Sequence, residues 1–298
     1  MKIRVAVVGY GNVGKCAVEA VCASQDMELA GVIEIPEVIR RHSFPGITAV
    51  SDVKDLGKID VALLCCPSRS VPETAEKYLA LGIHTVDSFD IHGDDLWNLR
   101  QQLDKTGKKN NAVSIISAGW DPGSDSIIRV LFEAMAPKGI TYTNFGPGMS
   151  MGHSVAAKSK PGVRNALSIT IPNGVGIHRR MVYVELEPNA DFPAIEQAIK
   201  TDAYFIKDNT TVKQVDNIDA LIDMGHGVLI ERKGVSGATH NQLFEYSMKI
   251  NGPALTAQIM VSCARAAGRQ QPGAYTMPEI PVIDLLPGNR EDLVKRLI

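Results

Sequence analysis

Val7-Val8-Gly9-Tyr10-Gly11-Asn12-Val13-Gly14 carries an apolar strand into a G-x-G-x-x-G turn, and this stretch decides the fold of the N-terminal third. Gly9 permits the tight turn, Gly11 lets backbone approach a pyrophosphate, and Gly14 lets the following helix pack on the strand. The pyrophosphate would then meet the helix N-terminus. Residues 3–8 read as a buried strand and 13–23 as a helix. A second strand over 29–34 ends on Glu34, about 20 residues past the last glycine, where an adenosine ribose needs an acceptor. Gly9, Tyr10, Gly11, Asn12, Val13, Gly14 and Glu34 are therefore expected to form a dinucleotide site for NAD or NADP.

Outward from this motif, short apolar runs at 61–66, 83–86 and 113–117 alternate with helical stretches, the pattern of a parallel, doubly wound sheet. Ligands of such sheets bind beyond the carboxyl ends of the strands. This gives Cys66, Pro67, Ser68 and Ser88 a positional reason to touch the cofactor. After Pro137 the texture changes to longer alternating strands at 140–145, 166–171, 180–187, 228–231 and 243–250, with one helix near 192–201. The expected fold class is α/β: a Rossmann-type doubly wound parallel sheet with a second α+β domain on a mixed sheet. The expected domains are 1–118 for the dinucleotide, 119–252 for substrate and dimerisation, and 253–298 returning to the nucleotide domain.

With 31 basic and 33 acidic side chains the net charge is −2, so no broad field draws nucleic acid or an anionic membrane. Cys16, Cys22, Cys65, Cys66 and Cys263 form no C-x-x-C pair and lie in apolar segments, which suits reduced thiols and a cytoplasmic address. The longest apolar run, near 61–66, is too short to span a bilayer.

Segments dense in glycine and proline outline the chemistry, because such residues fix loops and fixed loops hold sites. They are Ser88-Phe89-Asp90, Ala118-Gly119-Trp120-Asp121-Pro122-Gly123, Phe145 to Ser154, and Met224-Gly225-His226-Gly227. Asp90 and Asp121 each follow an aromatic residue just past an expected strand, and two acceptors suit a substrate ammonium. Trp120 offers a flat wall for an aliphatic chain. Strand alternation sends Arg179 and Arg180 to opposite faces, so one of them points inward. With Thr170 and His226 the inward arginine would clamp a carboxylate. His153 reads as a structural support, and no metal-ligand spacing surrounds it. Acids for an ammonium, a cation for a carboxylate and a nicotinamide describe an amino-acid dehydrogenase.

Through the glycine motif, Thr85 to Asp90, Gly119 to Gly123, Gly146-Pro147-Gly148 and Gly152-His153-Ser154, the chain resembles the meso-diaminopimelate dehydrogenases over essentially its whole length. The resemblance implies reversible, NADP-linked oxidative deamination at the D-centre of meso-2,6-diaminopimelate, giving L-2-amino-6-oxoheptanedioate, which cyclises to tetrahydrodipicolinate on the route to lysine. It also implies a homodimer, and no metal is expected. In site terms it implies Asp90 and Asp121 as ammonium and orientation groups, and as candidates for the proton relay. Trp120 and Phe145 become walls, and Met151-Gly152 a loop over the substrate. Thr170, Arg180, His226 and Asn251 hold the distal L-amino-acid end. It chooses Arg180 over Arg179.

Two departures stand out. Met151 and Val155 replace polar or acidic residues of some relatives, which opens the way to broader D-amino acid use. Glu34 would repel a 2′-phosphate, with arginines arriving only at Arg40 and Arg41, so charge favours NAD where family favours NADP. The rival readings are another Rossmann oxidoreductase of small amino or hydroxy acids, or a non-catalytic nucleotide-sensing regulator. A semialdehyde dehydrogenase needs a poised cysteine, and Cys65 and Cys66 read as packed.

Overall fold

The computed structural model describes residues 2–223 and 225–298, which form two compact units, Met1–Val130 with Pro253–Ile298, and Leu131–Gly252. In the first unit the opening strand β1 (Ile3–Val8) leads to α1 (Asn12–Ala23), β2 (Met27–Ile33), α2 (Pro36–Arg41) and the short β3 (Ala49–Val50). The chain continues through β4 (Val61–Leu64), α3 (Val71–Ala80), β5 (His84–Asp87), α4 (Asp94–Lys109), β6 (Val113–Ile116) and α5 (Ser124–Met135). β1 pairs in parallel with both β2 and β4, so the strand order turns at its carboxyl end. That turn is the switch point at which such sheets bind ligands.

β4 is apolar throughout and β1 is apolar from Val5 onward because both faces of these central strands are covered. Val5 and Val7 pack in one cluster with Ala17 and Val21 of α1, while Ala6 and Val8 point to the other with Tyr78 and Leu79 of α3 and Leu103 of α4. A strand buried on one side only would have put polar residues at alternate positions.

The second unit contains β7 (Lys138–Phe145), β8 (Gly148–Met149), α6 (Met151–Lys158), β9 (Val163–Gly174), β10 (Ile177–Leu186), α7 (Phe192–Lys200), β11 (Asn209–Gln214), β12 (Gly225–Ser236) and β13 (Thr239–Asn251). It holds the expected mixed sheet, four strands ordered β11-β10-β9-β8, and beside it three antiparallel strands ordered β13-β12-β7. The four-stranded sheet is the mixed one, through its parallel β10–β11 pair. α7 is capped by Asp191, whose carboxylate accepts the Ala194 N–H. Its Ile195 and Ile199 pack on Val182 and Val184 of β10.

The chain then re-enters the first unit with α8 (Gly252–Ala267), β14 (Gly273–Thr276) and α9 (Arg290–Leu297). β14 pairs in parallel with β6 and completes a seven-stranded sheet ordered β14-β6-β5-β4-β1-β2-β3. Ala257, Met260, Val261 and Ala264 of α8 join the Val5–Val7 cluster, which explains the small, apolar face of this helix. Among the described residues, no helix is long and apolar enough to cross a membrane.

Candidate active site

The glycine turn between β1 and α1 fits a dinucleotide by three different geometries. Gly9 has φ +95°, and a Cβ there would stand 2.7 Å from the Cys65 carbonyl oxygen. Gly14 is tighter still, its added Cβ falling 2.0 Å from the Gly9 carbonyl oxygen. Gly11 differs: a Cβ would meet nothing within 4 Å. Packing therefore accounts for Gly9 and Gly14, whereas the fold itself leaves room for a side chain at position 11. Gly11 is the N-cap of α1, and no side chain caps the amides of its first turn, Asn12 and Val13 included. Uncapped amides at a helix N-terminus favour an anion.

Glu34 follows β2 and reaches back to this turn. Its Oε1 accepts the Tyr10 N–H at 2.7 Å and its Oε2 the Ile35 N–H at 3.0 Å. The Tyr10 ring in turn rests on Phe44, centroids 4.8 Å apart. Arg40 of α2 spends its guanidinium on Glu37 at 3.0 Å, at the exposed surface. A carboxylate anchored beside Tyr10 meets a ribose diol as an acceptor and a 2′-phosphate as a like charge.

At the other strand ends, Ser68 Oγ donates to Asp90 Oδ1 at 2.5 Å, and the Asp90 N–H donates to Ser68 Oγ at 3.3 Å. Ser68, expected at the cofactor, is thus tied to an expected substrate residue. Burial pushes the Cys66 thiol up and the Cys65 thiol further up, so neither is a thiolate nucleophile. Asp121 precedes a cis peptide bond to Pro122 and is gripped by Arg129 of α5, with Nη1–Oδ1 at 2.8 Å and Nη2–Oδ2 at 2.7 Å. This bidentate pair orients the carboxylate and balances its charge. Half-buried Trp120 stands between Gly119 and this pair, its carbonyl accepting the Asp125 N–H at 3.0 Å.

In the second unit, cross-strand register sets Arg180 opposite Thr170 and Arg179 opposite Ile171. Arg180 Nη1 donates to Thr170 Oγ1 at 2.7 Å, and its Nε pairs with Asp208, just ahead of β11. Phe145 ends β7; its N–H donates to His178 Nε2 at 2.8 Å, and its ring lies 6.4 Å from His226 in an edge-on contact. An Nε2 that accepts carries no proton, and burial and the Arg180 charge both hold the His178 pKa down. His226 is the second residue of β12, where a loop was expected, because the Gly225–Ser236 strand begins earlier than its apolar run. Met224 lies outside the described residues. Asn251, last in β13, stands opposite Gly225. His226 and Asn251 share a cavity of about 1040 Å³ with Gly146, Pro147 and Ile169, whose lining does not include Thr170 or Arg180.

Met151 and Gly152 form the first turn of α6, correcting the expected loop. The local reason is His153, whose Nδ1 lies 2.8 Å from Ser150 Oγ and whose ring meets Tyr204 and Phe205 edge-on at 5.4 and 5.2 Å. Burial, then the Arg180 charge, pushes the His153 pKa down to about 4, so it supports α6 as a neutral ring. The sequence reading missed Arg129, Asp208, Asp87 and Asp125. Only Arg129 left a local signal, as a cation two turns beyond Asp121 on an amphipathic stretch.

Fold and glycine turn together define a nucleotide-dependent oxidoreductase, and residues 3–86 match the oxidoreductase family with an NAD-binding Rossmann fold. Residues 119–252 match the diaminopimelic acid dehydrogenase C-terminal domain. The chain is 58% identical over 298 residues to the meso-diaminopimelate D-dehydrogenase of Bacteroides fragilis, covering 100% of this chain and 99% of that one. It is 33% identical to the Corynebacterium glutamicum enzyme, covering 99% and 98%. Among solved structures, C. glutamicum diaminopimelate dehydrogenase in complex with diaminopimelate superposes with a TM-score of 0.89 at 32% identity, covering 100% and 99%. An engineered D-amino acid dehydrogenase bound to NADP+ gives 0.86 at 32%, covering 100% of both. The chain belongs to the meso-diaminopimelate D-dehydrogenase family.

Proposed function

We propose that this protein catalyses reversible NAD(P)-dependent oxidative deamination at the D-centre of meso-2,6-diaminopimelate, giving L-2-amino-6-oxoheptanedioate and ammonia. The observation that carries the reading is identity of 58% across the whole chain, spanning both the glycine turn and the Arg180–Thr170 clamp. Bound nicotinamide supplies the hydride acceptor. The turn holds the dinucleotide through Gly9, Tyr10, Gly11, Asn12, Val13, Gly14 and Glu34, with Cys66, Pro67, Ser68 and Ser88 at the neighbouring strand ends.

Asp90, steadied by Ser68, accepts from the substrate ammonium and takes up its proton, because only a neutral amine has the lone pair that expels hydride. Water then adds to the substrate imine and supplies the carbonyl oxygen as the C–N bond breaks and ammonia leaves. Asp121, held by Arg129, orients the same end beside the wall of Trp120. Arg180 and Thr170 take the distal carboxylate, which competes with Asp208 for the guanidinium, and His226, Asn251, Phe145, Met151 and Gly152 enclose the L-centre. Accurate placement of the reacting carbon supplies much of the rate.

The test follows reduced nicotinamide at alkaline pH with the meso, LL and DD isomers and both coenzymes. Turnover of the meso isomer is expected, and its failure with both coenzymes would sink the assignment. Pyruvate and phenylpyruvate with ammonia test breadth, where Met151 and exposed Val155 support some D-amino acid formation.

For the coenzyme, the anchored Glu34 supports NAD over NADP. Glu34→Ala is expected to raise relative use of NADP about tenfold by removing a like charge near the 2′-phosphate. An unchanged ratio of kcat/KM values would show that Glu34 does not set the preference. The apolar side chains exposed on the second unit, Leu131, Met135, Ile140 and Leu243, support a homodimer formed through that unit. Five unpaired cysteines support a reducing, cytoplasmic setting.

A further inference from the structure

Asp90 and the Trp120-Asp121 pair are carried by separate loops, one leaving β5 and the other leaving β6. At the base of both lies Asp87, the last residue of β5, which is 0% exposed. Its Oδ1 accepts two backbone amides, the Phe89 N–H at 3.0 Å from one loop and the Ser117 N–H at 3.1 Å from the other. Its main-chain carbonyl accepts the Ala118 N–H at 2.7 Å. A further bond joins the loops directly, from Ser117 Oγ to the Phe89 carbonyl at 2.8 Å. Ser117 has φ +54°, a left-handed conformation that costs energy for a side-chain-bearing residue and persists only where its surroundings enforce it. The second carboxylate oxygen, Oδ2, is buried without a hydrogen-bond partner among the described residues. An apolar residue would avoid that burden but would leave the Phe89 and Ser117 amides without this acceptor.

We propose that Asp87 is a positioning residue for the reaction: one carboxylate oxygen spans the two loops and sets Asp90 in register with Trp120 and Asp121. The proposal rests on the function assigned above. Asp87 touches no reacting atom. It fixes the backbone at Phe89, one residue before Asp90, and at Ser117, three residues before Trp120. Misplacing a reacting group by about 1 Å costs on the order of a hundredfold in rate. Removing the bridge is therefore expected to act far more on kcat than on dinucleotide affinity, most of which the β1–α1 turn supplies, with Ser88 the one proposed dinucleotide contact inside the bridged loops.

The experiment compares wild type, Asp87→Asn, Asp87→Ala and Ser117→Ala, with kcat and KM for meso-diaminopimelate expressed per dinucleotide-binding site. Counting sites removes any loss caused by unfolding alone. Asp87→Ala is expected to lower kcat about fiftyfold, with dinucleotide Kd within about threefold of wild type. Asp87→Asn keeps the bridging Oδ1 and is expected to recover at least about a third of the wild-type kcat. Should Asp87→Ala fail to fold, Ser117→Ala carries the test, since it cuts only the Ser117–Phe89 bond and is expected to cost about fivefold in kcat. A kcat per site unchanged in the variants that fold overturns the proposal, as does an Asp87→Asn as damaged as Asp87→Ala. Absence of meso-diaminopimelate turnover in wild type overturns the functional assignment first, and this proposal with it.

Discussion

Gly11→Ala is expected to melt within about 3 °C of wild type yet bind the dinucleotide about a hundredfold more weakly, while Gly14→Ala is expected to lose roughly 10 °C. The two glycines sit three residues apart in one motif and are needed for different reasons. At Gly14 the obstacle is the protein's own backbone, 2.0 Å from the added Cβ at the Gly9 carbonyl. That carbonyl belongs to the turn itself and cannot retreat without separating β1 from α1. Overpacking of this kind costs about 3 kcal/mol, and each kcal/mol moves the melting temperature by about 2–4 °C in a domain of this size. At Gly11 the backbone is extended, with φ −75° and ψ −160°, and the space is open, so the folded protein tolerates a methyl group. Only an approaching pyrophosphate finds it occupied, and a hundredfold loss corresponds to about 2.7 kcal/mol. Thermal melts and titration with NAD and NADP check both halves. Wild-type affinity in Gly11→Ala would show that the pyrophosphate does not approach this backbone.

The glycine motif was legible because its logic is local: strand, turn and helix occupy consecutive residues, and only Glu34 adds a longer reach. The parallel sheet was legible for the same reason, since strands buried on both faces read as unbroken apolar runs. β14 was not, because four residues with a glycine at their head carry no periodicity and become a strand only by pairing with β6, about 160 residues earlier. α6 was hidden by the glycines and prolines before it, and depends on His153 finding Tyr204 and Phe205.

The distal clamp was half legible. Alternation required Arg179 and Arg180 to diverge without choosing between them; the family resemblance chose Arg180, and the register sets Arg180 against Thr170. The charged partners fared worst. Asp208 reaches Arg180 because β11 lies beside β10, and Asp87 gains its role from two loops meeting over it. Burial decides the chemistry of such groups, and burial is a property of the assembled chain.

Asp125 makes that dependence measurable. It lies in the first turn of α5, is 0% exposed, and neither carboxylate oxygen has a hydrogen-bond partner among the described residues. Arg129, one turn further on, gives both arms of its fork to Asp121. Burial and then the Asp121 charge push the Asp125 pKa up to about 7, against a partial pull downward from Arg129. In the unfolded chain the same group ionises near 3.8, the ordinary aspartate value. Below that pH both states hold the proton, and Asp125 imposes no penalty. As pH rises towards 7 the unfolded chain releases its proton while the folded chain keeps it, so stability falls. The span of about three units corresponds to at most roughly 4 kcal/mol, at about 1.4 kcal/mol per unit. Asp125→Asn removes the charge but leaves a buried amide that costs about 2 kcal/mol at every pH, so the variant is expected to gain about 2 kcal/mol at pH 8 and to lose about 1.5 kcal/mol at pH 4. Asp87, whose pKa burial raises to about 6, adds a second decline that this variant retains. Urea unfolding at pH 4, 6 and 8 separates the two. A stability difference between wild type and Asp125→Asn that stays constant across that range would mean Asp125 is already ionised at pH 4, and that Arg129 serves both aspartates.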